Sequence, residues 1–253
     1  MPLIAALMIG CGSPESNSTA GSGEAGEPVA DSDGGYSAPS PGAAGEGVES
    51  DRLGAAGGGA AAPASTVLFI GTSLTAGQGL PEAQSFPLVI ERRLEEAGLP
   101  FRVVNAGVSG ETSAGALRRV DWLLRQPFDV VVLETGANDM LRGVDPETTE
   151  QNIQAIVDRI RDERPGVTIV LAGMLALPNL GEAYGREFET IYPRLAERND
   201  LPFVPFLLQG VGGERDLNQG DGVHPTAEGH RIIADTVWGV LEPVLDELEA
   251  TGG

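Results

Sequence analysis

The sequence predicts an α/β fold, a three-layer α/β/α sandwich on a five-stranded, flavodoxin-like parallel sheet. From Thr66 onward, short apolar runs of strand length alternate with longer stretches of helical period, and such alternation builds βαβ units with right-handed crossovers. Several runs are apolar at every position, as in strands buried on both faces. Glycine-bearing polar segments follow these runs, at the strand ends where open parallel sheets carry their ligand sites. The strand order 2-1-3-4-5 is taken from the fold class, whereas the alternation is read from the residues.

The first run is Val67-Leu68-Phe69-Ile70. A helix follows from about Ser85 to Ala97, with Ser85 as N-cap, Pro87 in the first turn and Gly98 as its stop. Phe101 to Ala106 is the second strand, and a helix from about Ser113 to Arg125 places Leu117, Val120 and Leu124 on one face. Val130 to Leu133 is the third strand. The helix Pro146 to Glu163 then carries the stripe Ile153, Ile156, Val157 and Ile160, and Pro165-Gly166 ends it. Val167 to Ala172 is the fourth strand. A segment from Met174 to Gly185 leads to a helix through Arg198, and Phe203 to Phe206 is a short fifth strand. A glycine-rich loop, Gly210 to Gly222, precedes a last helix from about Pro225 to Glu249, with a bend expected near Pro243.

Composition divides the chain of 253 residues. Residues 12–64 are rich in Gly, Ala, Ser, Pro and acids and nearly devoid of large apolar side chains. Such a stretch buries too little surface to offset its ordering entropy, and is expected to be a disordered tether. Residues 65–250 then form a single domain. Ahead of the tether, Leu3 to Gly10 is a short apolar run ending at Cys11, the one cysteine. It is too short to span a bilayer and resembles the tail of a bacterial lipoprotein signal segment (residues 1–11), with Cys11 as the lipidated residue. No basic residue precedes the run, so the start of that segment is expected upstream. This reading implies a membrane tether and a location in the cell envelope.

The net charge is -21 and all 16 basic residues are arginine. Nucleic acid is excluded as a partner, because neutralising phosphates requires a basic face, and docking on anionic lipid is disfavoured likewise. Two histidines and one remote cysteine form no zinc-ligand cluster. Nucleotide binding finds neither Gly-x-Gly-x-x-Gly nor the lysine of a Walker loop. Neither metal nor cofactor is expected.

Four polar segments converge on the carboxyl ends of the predicted strands. They are Gly71-Thr72-Ser73-Leu74, Asn105-Ala106-Gly107-Val108-Ser109-Gly110, Glu134-Thr135-Gly136-Ala137-Asn138-Asp139 and Asp221-Gly222-Val223-His224-Pro225. Acyl transfer needs a nucleophile, a base for its proton and donors for the oxyanion. Ser73 supplies the first and His224 the second, and Asp221 lies close enough in sequence to orient the imidazole. Pro225 keeps His224 out of helical geometry and so presents it from a loop. The Ser73 and Gly107 N–H groups and the Asn138 side-chain amide are the candidate oxyanion donors. His230 is read as a surface or core histidine, Asp139 as a residue ordering the Asn138 loop, and Glu134 as a structural carboxylate without a role.

These four segments resemble those of the SGNH (GDSL-type) hydrolases, and most nearly the bacterial thioesterase/lysophospholipase/arylesterase branch. Leu141-Arg142-Gly143 adds to the resemblance, which spans about Val67 to Trp238. It implies the SGNH hydrolase fold and a role for Ser73, Gly107, Asn138 and His224, with Asp221 as the triad acid. The family's first segment usually reads Gly-Asp-Ser-Leu, whereas Thr72 stands here in place of the Asp. The Gly-x-Ser-x-Gly elbow of α/β-hydrolases is absent because position 75 is Thr.

The expected function is hydrolysis of small-molecule acyl esters (fatty-acyl ester, lysophospholipid or acyl thioester) through an acyl-enzyme. Met174, Leu175, Leu177 and Leu180 are the candidate acyl-chain wall. A carbohydrate O-deacetylase with a more polar pocket is the alternative, and a non-catalytic ligand-binding module on the same fold is the second. Oligomeric state is not legible.

Overall fold

A computed structural model describes residues 65–252. The signal segment with Cys11 and the tether of residues 12–64 lie outside the described residues. Five parallel strands form one sheet in the order β2-β1-β3-β4-β5. They are β1 (Ser65–Gly71), β2 (Phe101–Gly107), β3 (Val130–Glu134), β4 (Thr168–Ala172) and β5 (Phe203–Val204). The expected order therefore holds. The helices are α1 (Ser73–Ala76), α2 (Phe86–Ala97), α3 (Ser113–Leu123), α4 (Ala137–Leu141), α5 (Pro146–Glu163), α6 (Glu182–Asn199) and α7 (Ala227–Gly252).

The path runs outward from β1 to β2 and then reverses to β3, β4 and β5. Keeping every crossover right-handed across that reversal places helices on both faces. Accordingly α2 packs with α7, whereas α3, α5 and α6 pack in a second row. Strands covered on both sides must be apolar throughout, and all five residues of β3 are buried, as are Val67, Leu68, Phe69 and Ile70 of β1. The stripe Ile153, Ile156, Val157 and Ile160 of α5 is fully buried. Asp145 caps that helix by accepting from Glu147 N–H at 2.9 Å.

Several boundaries differ from the sequence expectation. β5 ends at Val204 instead of Phe206, because Pro205 has no N–H to continue the ladder. α7 begins at Ala227 instead of Pro225: the Thr226 N–H is drawn back to Leu217 O at 2.8 Å, and Thr226 Oγ1 accepts from Gly229 N–H. The Ser73 and Asn138 segments, expected as loops, coil into the single-turn helices α1 and α4. The last helix continues through Pro243.

His230 is a core histidine on α7, only 1% exposed. Its Nδ1 accepts from Phe86 N–H at 3.1 Å, satisfying a donor at the start of α2. The ring stacks on Phe86 with centroids 6.3 Å apart. An accepting Nδ1 requires the neutral ring with its proton on Nε2. Burial, followed by the charge of His224, lowers its pKa from 6.5 to about 4. A histidine depressed in the folded state gives its full stabilisation above the unfolded value and loses it as pH falls through the folded one. The window is therefore pH 6.5 down to 4, and the difference is worth about 3 kcal/mol. In His230→Gln, the unfolding free energy is expected to fall less steeply between those pH values than in the native chain, measured by urea melts. Identical slopes in the two proteins would remove His230 as the cause.

Candidate active site

Ser73 and Asn138 stand just beyond the carboxyl ends of β1 and β3. Ser73 follows β1 as the first residue of α1, so the helix's own ladder does not claim its N–H. His224 and Asp221 lie in the loop between β5 and α7. That loop is closed by Gln219 N–H donating to His224 O at 2.7 Å and Gly222 N–H to Gln219 O at 2.8 Å. The Gln219 side chain also donates to Gln78 O at 2.7 Å, tying the histidine loop to the segment that follows the nucleophile.

Ser73 Oγ lies 3.0 Å from His224 Nε2, and His224 Nδ1 lies 2.7 Å from Asp221 Oδ2. The other carboxylate oxygen of Asp221 accepts from the N–H groups of Val223 and His224 at 2.9 and 3.0 Å. Hydrogen bonding to the His224 side chain, then to those two N–H groups, holds the Asp221 carboxyl well below the ordinary carboxylate range. The residue stays anionic, so the imidazole keeps its proton on Nδ1 and turns Nε2 to the serine as an acceptor. Ser73 is 9% exposed. The structure thus brings the three sequence-predicted residues into one hydrogen-bonded series.

Asn138 lies on α4, and one N–H of its amide donates to Glu111 O at 3.0 Å. That bond fixes the amide and leaves its second N–H for a ligand. Asp139 beside it accepts from the Ser113 N–H and hydroxyl at 2.8 and 2.5 Å, so it joins α4 to the start of α3.

Gly107 is a correction. It ends β2 with its N–H committed to Asn105 Oδ1 at 3.0 Å, and it packs against the backbone of Thr75 and Ala76, where a Cβ would collide. It does not reach the cavity that holds Ser73. Gly110 does, lining that cavity with Ser73, Asn138 and His224. Its φ of +77° is a conformation glycine adopts without strain. The sequence offered both glycines within one segment. Which one faces the cavity depends on where β2 ends, and it ends at Gly107.

The cavity has a volume of about 570 Å³, within the range of small-molecule sites. Met174, Leu175 and Leu177 line it as expected. Leu180 does not: it closes a 3₁₀ turn (Pro178–Leu180) and packs against the core. Met140, Leu141 and Val223 add to the apolar wall from α4 and the histidine loop. No apolar periodicity pointed to them, because they come from single turns. His224 is the one titratable side chain among the lining residues.

A serine, an imidazole and a carboxylate in hydrogen-bonded series at the strand ends of a doubly wound sheet form the arrangement of a serine hydrolase. The chain belongs to the GDSL-like Lipase/Acylhydrolase family, whose model matches residues 69–232. It is 38% identical to Esterase TesA of Pseudomonas aeruginosa over 185 residues, 73% of this chain and 91% of that protein. To the Thioesterase 1/protease 1/lysophospholipase L1 of Escherichia coli K12 it is 35% identical over 188 residues, 74% of this chain and 88% of that protein. The crystal structure of TesA superposes with a TM-score of 0.68 at 37% identity, covering 71% of this chain and 99% of that one.

Proposed function

We propose that the chain is a carboxylic ester hydrolase in which Ser73, His224 and Asp221 form the catalytic triad. The observation that carries this reading is the unbroken series from Ser73 Oγ through His224 to Asp221, at 3.0 and 2.7 Å. Ser73 Oγ attacks the carbonyl carbon of an acyl ester while His224 Nε2 takes the hydroxyl proton. Charge gathers on the carbonyl oxygen, and the N–H groups of Ser73 and Gly110 with the free N–H of Asn138 are the donors that meet it. As the ester C–O bond breaks, His224 returns the proton to the leaving alkoxide, and the acyl group remains on Ser73. A water then gives a proton to His224 and attacks the acyl-enzyme. The acid leaves, and the proton returns to Ser73. Asp221, anionic throughout, stabilises the imidazolium formed in both halves.

The apolar wall of Met174, Leu175, Leu177 and Met140 favours a hydrocarbon acyl group over an acetylated sugar, which needs polar partners. Fatty-acyl esters, lysophospholipids and acyl thioesters share that acyl half. The names of the two relatives, an esterase and a thioesterase/protease/lysophospholipase, support the same class. The lipidation of Cys11 and an envelope location remain part of the proposal, resting on the Leu3 to Cys11 segment.

On p-nitrophenyl esters from acetate to palmitate, turnover is expected to favour medium or long chains over acetate and to vanish in Ser73→Ala. A preference for acetate would return the deacetylase reading, and turnover surviving in Ser73→Ala would end the triad assignment. Asn138→Ala is expected to lower kcat by roughly 10²–10³-fold with KM little changed, whereas an unchanged kcat removes Asn138 from the oxyanion site. In a bacterial host, Cys11→Ser is expected to move the protein from the membrane fraction to the soluble one. Equal distribution of both forms excludes a Cys11 anchor.

A further inference from the structure

Beneath the nucleophile lies a buried carboxyl group that the mechanism above does not use. Glu134 ends β3 and is 0% exposed. One of its oxygens accepts from Thr72 N–H at 2.7 Å and from Thr75 Oγ1 at 2.8 Å. The Thr72 hydroxyl is shared between both oxygens at 2.9 and 3.0 Å. The Thr72 N–H is a fixed donor to this carboxyl, and the Thr72 and Thr75 hydroxyls complete its hydrogen bonding. Thr72 and Thr75 bracket Ser73 in sequence and include the residue that starts its turn. The turn wraps the carboxylate so closely that a Cβ on Gly71 would lie 2.6 Å from Glu134 Oε2 and overlap the Thr75 hydroxyl.

We propose that Glu134 is a positioning residue for the nucleophile, its buried carboxylate holding through Thr72 and Thr75 the turn that aims Ser73 at His224, with Thr72 completing the hold as an uncharged donor. The proposal rests on Ser73 being the nucleophile. It also gives a physical meaning to Thr72, which stands where the family's first segment usually has Asp. A hydroxyl donates to the buried carboxylate at any pH. An aspartate at position 72 would set a second carboxylate against the first, and two such groups in one dry site ionise only one at a time. This chain therefore needs no shared proton under its nucleophile, and its turn is expected to hold its geometry into alkaline solution.

The other titratable groups around Glu134 do not replace it. Tyr192 of α6 has its phenol raised well above the ordinary range, by burial first and then by the Glu134 and Asp139 charges, and its hydroxyl donates to Thr135 O at 2.8 Å. Asp139 of α4 is committed to Ser113. Burial raises the Glu134 pKa from 4.5, and the hydrogen bonds from Thr72 and Thr75 oppose the shift.

The test compares the native chain with Glu134→Gln, Thr72→Asp, the double variant Thr72→Asp/Glu134→Gln and Ser73→Ala. Steady-state kcat and KM are measured on one p-nitrophenyl ester across the pH range, after circular dichroism confirms folding. Glu134→Gln is expected to lose roughly 10²-fold in kcat with KM little changed, the signature of a misaimed nucleophile. Thr72→Asp is expected to keep activity where the carboxylate pair still holds a proton, and to lose it progressively as pH rises and that proton is lost. The native chain should keep its plateau there. The double variant has one carboxylate facing one amide, and should lose that alkaline decline. A native-shaped pH profile in Thr72→Asp, or a native kcat in Glu134→Gln, would overturn the positioning role. Should Glu134→Gln not fold, the Thr72→Asp profile decides by itself. If Ser73→Ala retains turnover, the triad reading has failed first. If it loses turnover while the other variants behave as native, only the role of Glu134 has failed.

Discussion

The parallel register of β1 between β2 and β3 is the constraint on which the site depends. Gly71 pairs with Gly107 at the end of one ladder, and Ile70 pairs with Leu133 near the end of the other. Three strands therefore stop at nearly the same height, and the segments leaving them meet over one edge of the sheet. The Ser73 turn leaves β1, the Gly110 loop leaves β2 and the Asn138 turn leaves β3. A slip of one residue in any of these strands would exchange the faces of its side chains, and in the doubly covered β1 and β3 it is opposed by the fit of close-packed side chains of different size on the two faces. Catalytic alignment here is a by-product of core packing, because the residues that fix the register are Val67 to Ile70 and Val130 to Leu133.

Two carboxylates in this site have opposite environments and do opposite work. Asp221 is half exposed and is held anionic by hydrogen bonds from its own loop, so it costs little to keep charged beside the His224 imidazole. Glu134 has no exposure, and its polar atoms must be met wholly by local partners. Those partners belong to the turn that carries the nucleophile. Burying a polar group is unfavourable unless its partners stay in place, and that same cost penalises any movement of the turn. The penalty is what makes a buried carboxylate suited to holding a geometry, and an exposed one to following a moving proton.

The sequence carried the α/β class, the limits of most elements and the grouping of His224 with Asp221, because each rests on a local signal. Uninterrupted apolar runs mark doubly covered strands, and Asp221, His224 and Pro225 lie within five residues of one another. It misassigned features that depend on where one element stops against another. Gly107 and Gly110 are indistinguishable until the end of β2 is known. Leu180 shares its loop with Met174 and Leu177, yet the turn at Pro178 swings it toward the core. Met140, Leu141 and Val223 reach the cavity from single turns too short to display a period. Glu134 looked like any strand-end acid, since its partners Thr72 and Thr75 are some 60 residues away in the chain.

The contrast between surface and cavity bears on what enters. The chain carries a net charge of -21, yet His224 is the only titratable side chain among the residues lining the cavity. Repulsion from the surface falls off over roughly 10 Å at moderate ionic strength, and it acts on the approach of an anionic substrate without stabilising a neutral one. Inside the cavity, selection passes to apolar contact along Met174, Leu175, Leu177 and Met140, where each buried methylene is worth about 0.8 kcal/mol. Under the ester-hydrolase reading proposed above, chain length is read by the wall and substrate charge by the surface. The two selections are separable because the groups responsible do not overlap.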